Sequence, residues 1–187
     1  MITFLEDGHL TIKTEYICNI AKKLKPKGTK PIEYIAYVLG YMVKNLNKKR
    51  PEDWIKLFHT RTAEEILKSG FVTGCTDSTI VFCTLMRAEG YSTRYLETIS
   101  KRWLDLDPNG TKEPIKGHAF AEVVLEDNTI FVDPDSKKIC LDPNREWELF
   151  ELFGTGLDPH DFGLTSFATL KQIFYDYREK KQNAKRV

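Results

Sequence analysis

Cysteine is scarce in this 187-residue chain, and the four present, at positions 18, 75, 83 and 140, include no CxxC pair. That excludes the dense disulfide framework of a small secreted domain and the paired spacing of a zinc site. Free thiols of this kind suit a reducing compartment. Charge of one sign is lacking too. Lys and Arg number 28 against 27 Asp and Glu, a formal net charge of +1, so no global field draws the chain to nucleic acid. The basic tail KKQNAKRV lacks the interleaved aromatics of a nucleic-acid groove. Long apolar runs are missing: no window approaches the roughly 20 residues of a membrane span. Glu6, Asp7 and His9 break the early apolar residues, against a secretory leader. These absences set the expectation of a cytoplasmic protein that binds neither nucleic acid nor membrane and requires no metal or other cofactor. Oligomeric state is not legible.

What is present is globular. The apolar share is 41% and the charged share 29%, and the length suits one domain, residues 1–187, with a core of its own. No repeat or low-complexity linker divides it. The part from 1 to 57 reads as helical. Tyr16, Ile17, Ile20, Ala21 and Leu24 recur at helical spacing over 14–25, and Pro26 and Gly28 end that run. Pro31 opens a longer helix to about Asn47, and RPEDWIKLF (50–58) fits a short one. Thr62 and Glu65 form a capping-box pattern before a helix that stops at Gly70. Residues 91–103 have strand composition, 104–116 a polar loop, and 117–125 with 129–133 a hairpin around Asp127–Asn128. A last helix is expected over about 166–181. Helices first and strands after them give an α+β fold, with helices packed on an antiparallel sheet.

GCTDSTIVF (74–82) carries the first chemical signal. Between Thr79 and Gly90 the only charges are Arg87 and Glu89, so this helix is apolar nearly all round and belongs in the core. Cys75 stands at its first turn. Backbone N–H groups there are unpaired and the helix dipole is positive, which favours a thiolate and can hold an oxyanion. Gly74 leaves room for a substrate carbonyl. Asp77, in the same turn, is negative and works against the thiolate. A structural thiol and a nucleophile both satisfy this local pattern.

His118 opens the first hairpin strand and Asp133 closes the second, so both lie at one end of the hairpin. A two-residue turn would set Asp133 opposite Glu122; contact with His118 needs a wider loop or a bulge. The grouping suits a thiol nucleophile, an imidazole that exchanges its proton and a carboxylate that orients the imidazole.

RTAEEIL (61–67), GCTD (74–77), LMRAEGYSTRYLE (85–97), GHAFAEV (117–123) and FVDPD (131–135) together resemble the transglutaminase-like superfamily, in order and spacing, over about 58–136. The resemblance implies a papain-like core whose buried central helix carries the cysteine, here with extra N-terminal helices. It implies Cys75 as nucleophile, His118 as acid and base and Asp133 as orienter. The implied reaction is acyl transfer through a thioester, from a peptide or protein-like amide to water or to an amine. Hydrolysis is the expectation; cross-linking, a thioester-dependent acyltransferase or a silent binding module on the same fold are the alternatives. The family often adds an upstream aromatic to the oxyanion hole, and Trp54, His59 and Tyr41 are the candidates.

Other motifs weigh less. DLDPNG (105–110) begins like an EF-hand loop, but its twelfth position is Lys116, which reads as a surface turn. DFG (161–163) lacks the other kinase motifs and reads as a turn. Asp158, His160 and Asp161 read as capping and turn residues, and Glu122 as a cross-strand partner. His9 and His59 read most simply as surface or satisfied residues. Trp147, Phe150, Leu152 and Phe153 are expected in the core or as an aromatic wall beside a cleft.

Overall fold

The computed structural model describes residues 4–106, 113–126, 128–140 and 149–185. Trp147, Asp127 of the hairpin turn and most of DLDPNG lie outside them. Four helices lead: α1 (Glu15–Leu24), α2 (Pro31–Asn45), α3 (Trp54–Leu57) and α4 (Ala63–Ser69). Thr14 caps α1 by accepting from the Ile17 N–H. Thr62 and Glu65 close the capping box of α4, and Gly70 ends that helix at φ 72°. The short strands β1 (Asn47–Lys48) and β2 (Phe71–Val72) pair in parallel and bring the end of α2 beside the chain entering α5 (Cys75–Ala88).

Five antiparallel strands follow: β3 (Thr93–Ser100), β4 (Gly117–Val124), β5 (Thr129–Asp133), β6 (Lys138–Cys140) and β7 (Phe150–Gly156), in the spatial order β6-β5-β4-β3-β7. The fold is therefore α+β, with α5 packed on β3 and β4 and covered by α1, α2 and α4. Ile80, Val81, Phe82, Leu85 and Met86 of α5 are fully buried. Each such side chain contributes about 1.5–3 kcal/mol, so the helix that carries Cys75 is anchored in the main core.

Two elements depart from the sequence expectation. The strand expected over 91–103 stops at Ser100, whose hydroxyl accepts from the Trp103 N–H and opens α6 (Lys101–Asp105). That cap turns Trp103 out of the sheet and into a second core with Ile99, Leu164 and Phe174. The run from Phe150 to Gly156 is strand β7, an edge beside β3 with a register shift between Glu97 and Thr98. The last helix, α7 (Phe167–Lys185), is longer than expected and covers this second core. DFG lies in a 3-10 turn (Pro159–Phe162) closed by Gly163 at φ 74°. None of the described helices is long and apolar enough to cross a membrane.

Candidate active site

The first turn of α5 is held from three sides. Asp77, buried to 2% exposure, accepts from the Thr73 N–H and hydroxyl, both at 2.8 Å, and from Arg61 at 2.5 Å. Its charge is thus spent on a buried arginine and on the approach to Gly74, which answers the objection that it opposes a thiolate. Arg61 is the opening residue of RTAEEIL. Gly74 has extended backbone (φ 171°), and a side chain there would meet no atom within 4 Å, so the approach to Cys75 is open. One turn on, the Thr79 hydroxyl donates to the Ala119 carbonyl at 3.1 Å, fastening α5 to β4 beside His118.

His118 and Asp133 meet: Nε2 lies 2.9 Å from Oδ2. The β4–β5 register pairs Ala121 with Val132 and Val124 with Thr129. Continued by one step, it sets Asp133 opposite Phe120, two residues from His118 and on the same face. The Leu125 N–H donates to the Asn128 carbonyl at 2.9 Å, so the hairpin is paired one residue earlier than the sequence suggested, with no wider loop, and the contact is a diagonal cross-strand pair. Asp133 Oδ1 accepts from the Asp135 and Ser136 N–H groups at 3.0 and 3.1 Å, which fixes the carboxylate. Phe120 meets the imidazole edge-on and Phe150 stacks on it, with centroids 4.5 and 5.7 Å away. Phe150 supplies the aromatic wall that the sequence left open.

The Cys75 side chain lies near enough to the same imidazole to act on its charge. Burial, the largest influence, pulls the His118 pKa down, but the hydrogen bond to Asp133, the nearby Cys75 and the charges of both outweigh it and raise it to about 10. Burial likewise pushes Asp133 up, and the His118 contact and Ser136 outweigh it, taking it to about 2. Both shifts describe an imidazolium held between a carboxylate and a sulfur. Cys83, on the same helix, is fully buried, and burial pushes its thiol up to about 12.

The upstream candidates separate. Trp54 packs edge-on against Phe58 and Phe167 and lies under Arg50. Tyr41 sits on α2 in a groove with Lys23, Leu24 and Tyr37. His59 reaches the site: its Nε2 lies 3.4 Å from the Thr76 hydroxyl, next to Cys75. It is 1% exposed, not a surface residue, and holds φ 58°, a costly backbone for a non-glycine residue. Burial drives its pKa down to about 3, so the ring is neutral. Glu122 pairs with Arg94 across the strands at 2.8 Å. Asp158 caps the 3-10 turn through the His160 N–H and accepts from the Leu10 N–H at 2.7 Å. No group of three or more His, Cys, Asp or Glu that could hold a metal occurs among the described residues.

A family model described as the transglutaminase-like superfamily matches residues 19–136, which include Cys75, His118 and Asp133. The chain belongs to that superfamily. The match begins within α1, upstream of the motifs visible by eye. A crystal structure of a "putative cysteine protease" from Cytophaga hutchinsonii shares the transglutaminase-like fold, with a TM-score of 0.59 over 84% of this chain at 18% identity. This chain spans about half of that protein, 47% of its length. No curated protein matches the chain.

Proposed function

We propose that this member of the superfamily is a cysteine-dependent acyl-transfer enzyme that hydrolyses a peptide or amide bond through a thioester. The observation that carries the proposal is the placement of Cys75 and Asp133 against one imidazole, at the N-terminus of a buried helix. Asp133 engages Nε2, which leaves Nδ1 for the sulfur. The Cys75 thiolate attacks the substrate carbonyl, and backbone N–H groups of the first turn of α5 receive the developing oxyanion. His118 passes its proton to the leaving amine as the C–N bond breaks. Water then gives a proton to His118 and attacks the thioester; the C–S bond breaks and the thiolate returns. Asp133 keeps the ring in register throughout. His59, neutral and beside Thr76, is the upstream side chain nearest that oxyanion. The protease name of the structural neighbour supports water over an amine as acceptor. The free thiols at Cys18 and Cys83 suit a reducing, cytoplasmic setting.

Iodoacetamide labelling of the native chain, read by peptide mass spectrometry, tests this. Cys75 labels fastest, Cys75→Ala loses that fast phase, and His118→Ala slows it at least ~10-fold at pH 7. Faster labelling at Cys18, Cys83 or Cys140, or an unchanged rate in His118→Ala, defeats the proposal.

A further inference from the structure

A second titratable group lies under the site and has no part in the mechanism above. Glu97 is on β3, opposite Ala119 of β4, and is 3% exposed. Its hydrogen-bond partner is the fully buried Tyr95 hydroxyl at 2.8 Å. A carboxyl in such a place is costly, and an apolar residue would fill the position at less cost. Tyr95 continues the connection: the Thr76 side chain acts on its hydroxyl, and Thr76 meets His59 Nε2 at 3.4 Å. The four buried groups, Glu97, Tyr95, Thr76 and His59, thus follow one another from β3 to the residue after Cys75. The small Ala119 and Ala121 opposite Glu97 and Tyr95 give the two side chains room.

We propose that Glu97 and Tyr95 are positioning residues for the nucleophile: the chain they form with Thr76 and His59 fixes the first turn of α5 and carries the charge state of Glu97 to Cys75. The proposal rests on the acyl-transfer reading of the same site. Several charged or titratable groups face Glu97. They are the Tyr95 hydroxyl from its own strand, the His118 imidazole from β4 and, through Tyr95, the Cys75 thiol from α5; across β3 on the β7 side stands Gly154. A thiolate, an imidazolium and the Asp133 carboxylate already sum to one negative charge. A second carboxylate in this buried space opposes the thiolate, so the arrangement favours a protonated Glu97 at neutral pH. The Tyr95 hydroxyl donates to Glu97 Oε2 at 2.8 Å and ties that carboxyl to the rest of the chain. Burial, the largest influence, raises the Glu97 pKa, while the Tyr95 contact and His118 lower it; it stands at about 8. Above that pH the carboxyl ionises and adds a negative charge to the space beside His118 and Cys75.

The test uses the full chain and two reagents, neutral iodoacetamide and anionic iodoacetate, against pH. Their rate ratio at Cys75 reads the net charge beside the sulfur, which a purely structural side chain leaves unchanged. In the parent protein the iodoacetate-to-iodoacetamide ratio falls about fivefold with a midpoint near pH 8, the effect of one screened charge nearby. Glu97→Gln keeps the neutral side chain, retains the parent rate at pH 6 and lacks that step. Tyr95→Phe, checked for folding by thermal unfolding, cuts the link and slows both reagents at least ~10-fold at pH 7. A step at pH 8 that survives in Glu97→Gln overturns the proposal, as does a folded Tyr95→Phe with parent rates. If His118→Ala also leaves the rate unchanged, the acyl-transfer reading itself has failed; if His118→Ala is slow and Glu97→Gln keeps the step, only the chain is refuted.

Discussion

Replacing Asp77 by asparagine should unfasten the approach to Cys75 while leaving its shape nearly unchanged. The carboxylate is 2% exposed and Arg61 8% exposed. Asp77 accepts from the Thr73 N–H, the Thr73 hydroxyl and Arg61. In the variant the amide oxygen of the new side chain can still accept from Thr73. The Arg61 guanidinium keeps Ser69 at 2.9 Å, the Phe71 carbonyl at 3.4 Å and the Phe71 ring, but loses its counter-charge. Breaking one side of a buried ion pair costs about 3–5 kcal/mol. In a chain of this size each kcal/mol shifts Tm by about 2–4 °C, so Asp77→Asn should melt about 6–20 °C lower. Urea unfolding measures the loss directly, with an unchanged m value showing that the denatured state is the same. Arg61→Met removes the stranded charge, so the double substitution should cost at least ~2 kcal/mol less than the sum of the single ones. A loss below about 1 kcal/mol for Asp77→Asn, or additive losses, would refute the role assigned to the pair.

Asp133→Asn removes the carboxylate that helps raise His118 to about 10, so the alkaline limb of turnover should move down toward the ordinary imidazole range near 6.5. The stability lost in that variant has a definite pH window. A depressed carboxylate stabilises above 3.8 and loses this as pH falls through about 2, while a raised imidazole stabilises below 6.5 and loses this as pH climbs through about 10. The deficit against the parent should therefore be greatest between 3.8 and 6.5, and chemical denaturation across pH would show it. Arg87→Met should cost about 2–4 kcal/mol, because the Thr93 carbonyl, the Thr11 hydroxyl and the Leu157 carbonyl all lose a buried donor; calorimetry checks it. Gly117→Ala should lower Tm and slow Cys75 labelling together. A side chain there would sit 2.8 Å from the Thr98 carbonyl and 2.9 Å from the Phe174 ring, forcing a shift next to His118.

Local signals were legible and long-range ones were not. The capping box of α4, the buried body of α5 and the alternation of the β4–β5 hairpin each depend on residues close in sequence. Strand β7 was missed because Gly154 and Gly156 interrupt its pattern and its partner β3 lies far upstream. The cap that starts α6 was hidden in a run of strand-like composition. At the site, residue types and order pointed to Cys75, His118 and Asp133, yet the contact of His118 with Asp133 depended on a hairpin register that the sequence leaves open. The fate of Asp77 depended on Arg61, 16 residues earlier, which only the fold brings near. Glu97 was not singled out in the sequence: it shares a strand face with Tyr95 and Ile99, but a charged residue there is ordinarily an exposed one, and only the structure shows it buried.

The hydrogen bond from the Leu10 N–H to Asp158 spans 148 residues, and the one from Arg87 to the Leu157 carbonyl spans 70. One fastens the segment before α1, the other the last turn of α5, to the chain just before the 3-10 turn. During synthesis these ties stay unmade until Asp158 has left the ribosome. A nascent chain shorter than that holds the helix of Cys75 with fewer anchors than the finished protein gives it. Partial products of translation are thus the form in which that helix is least firmly seated.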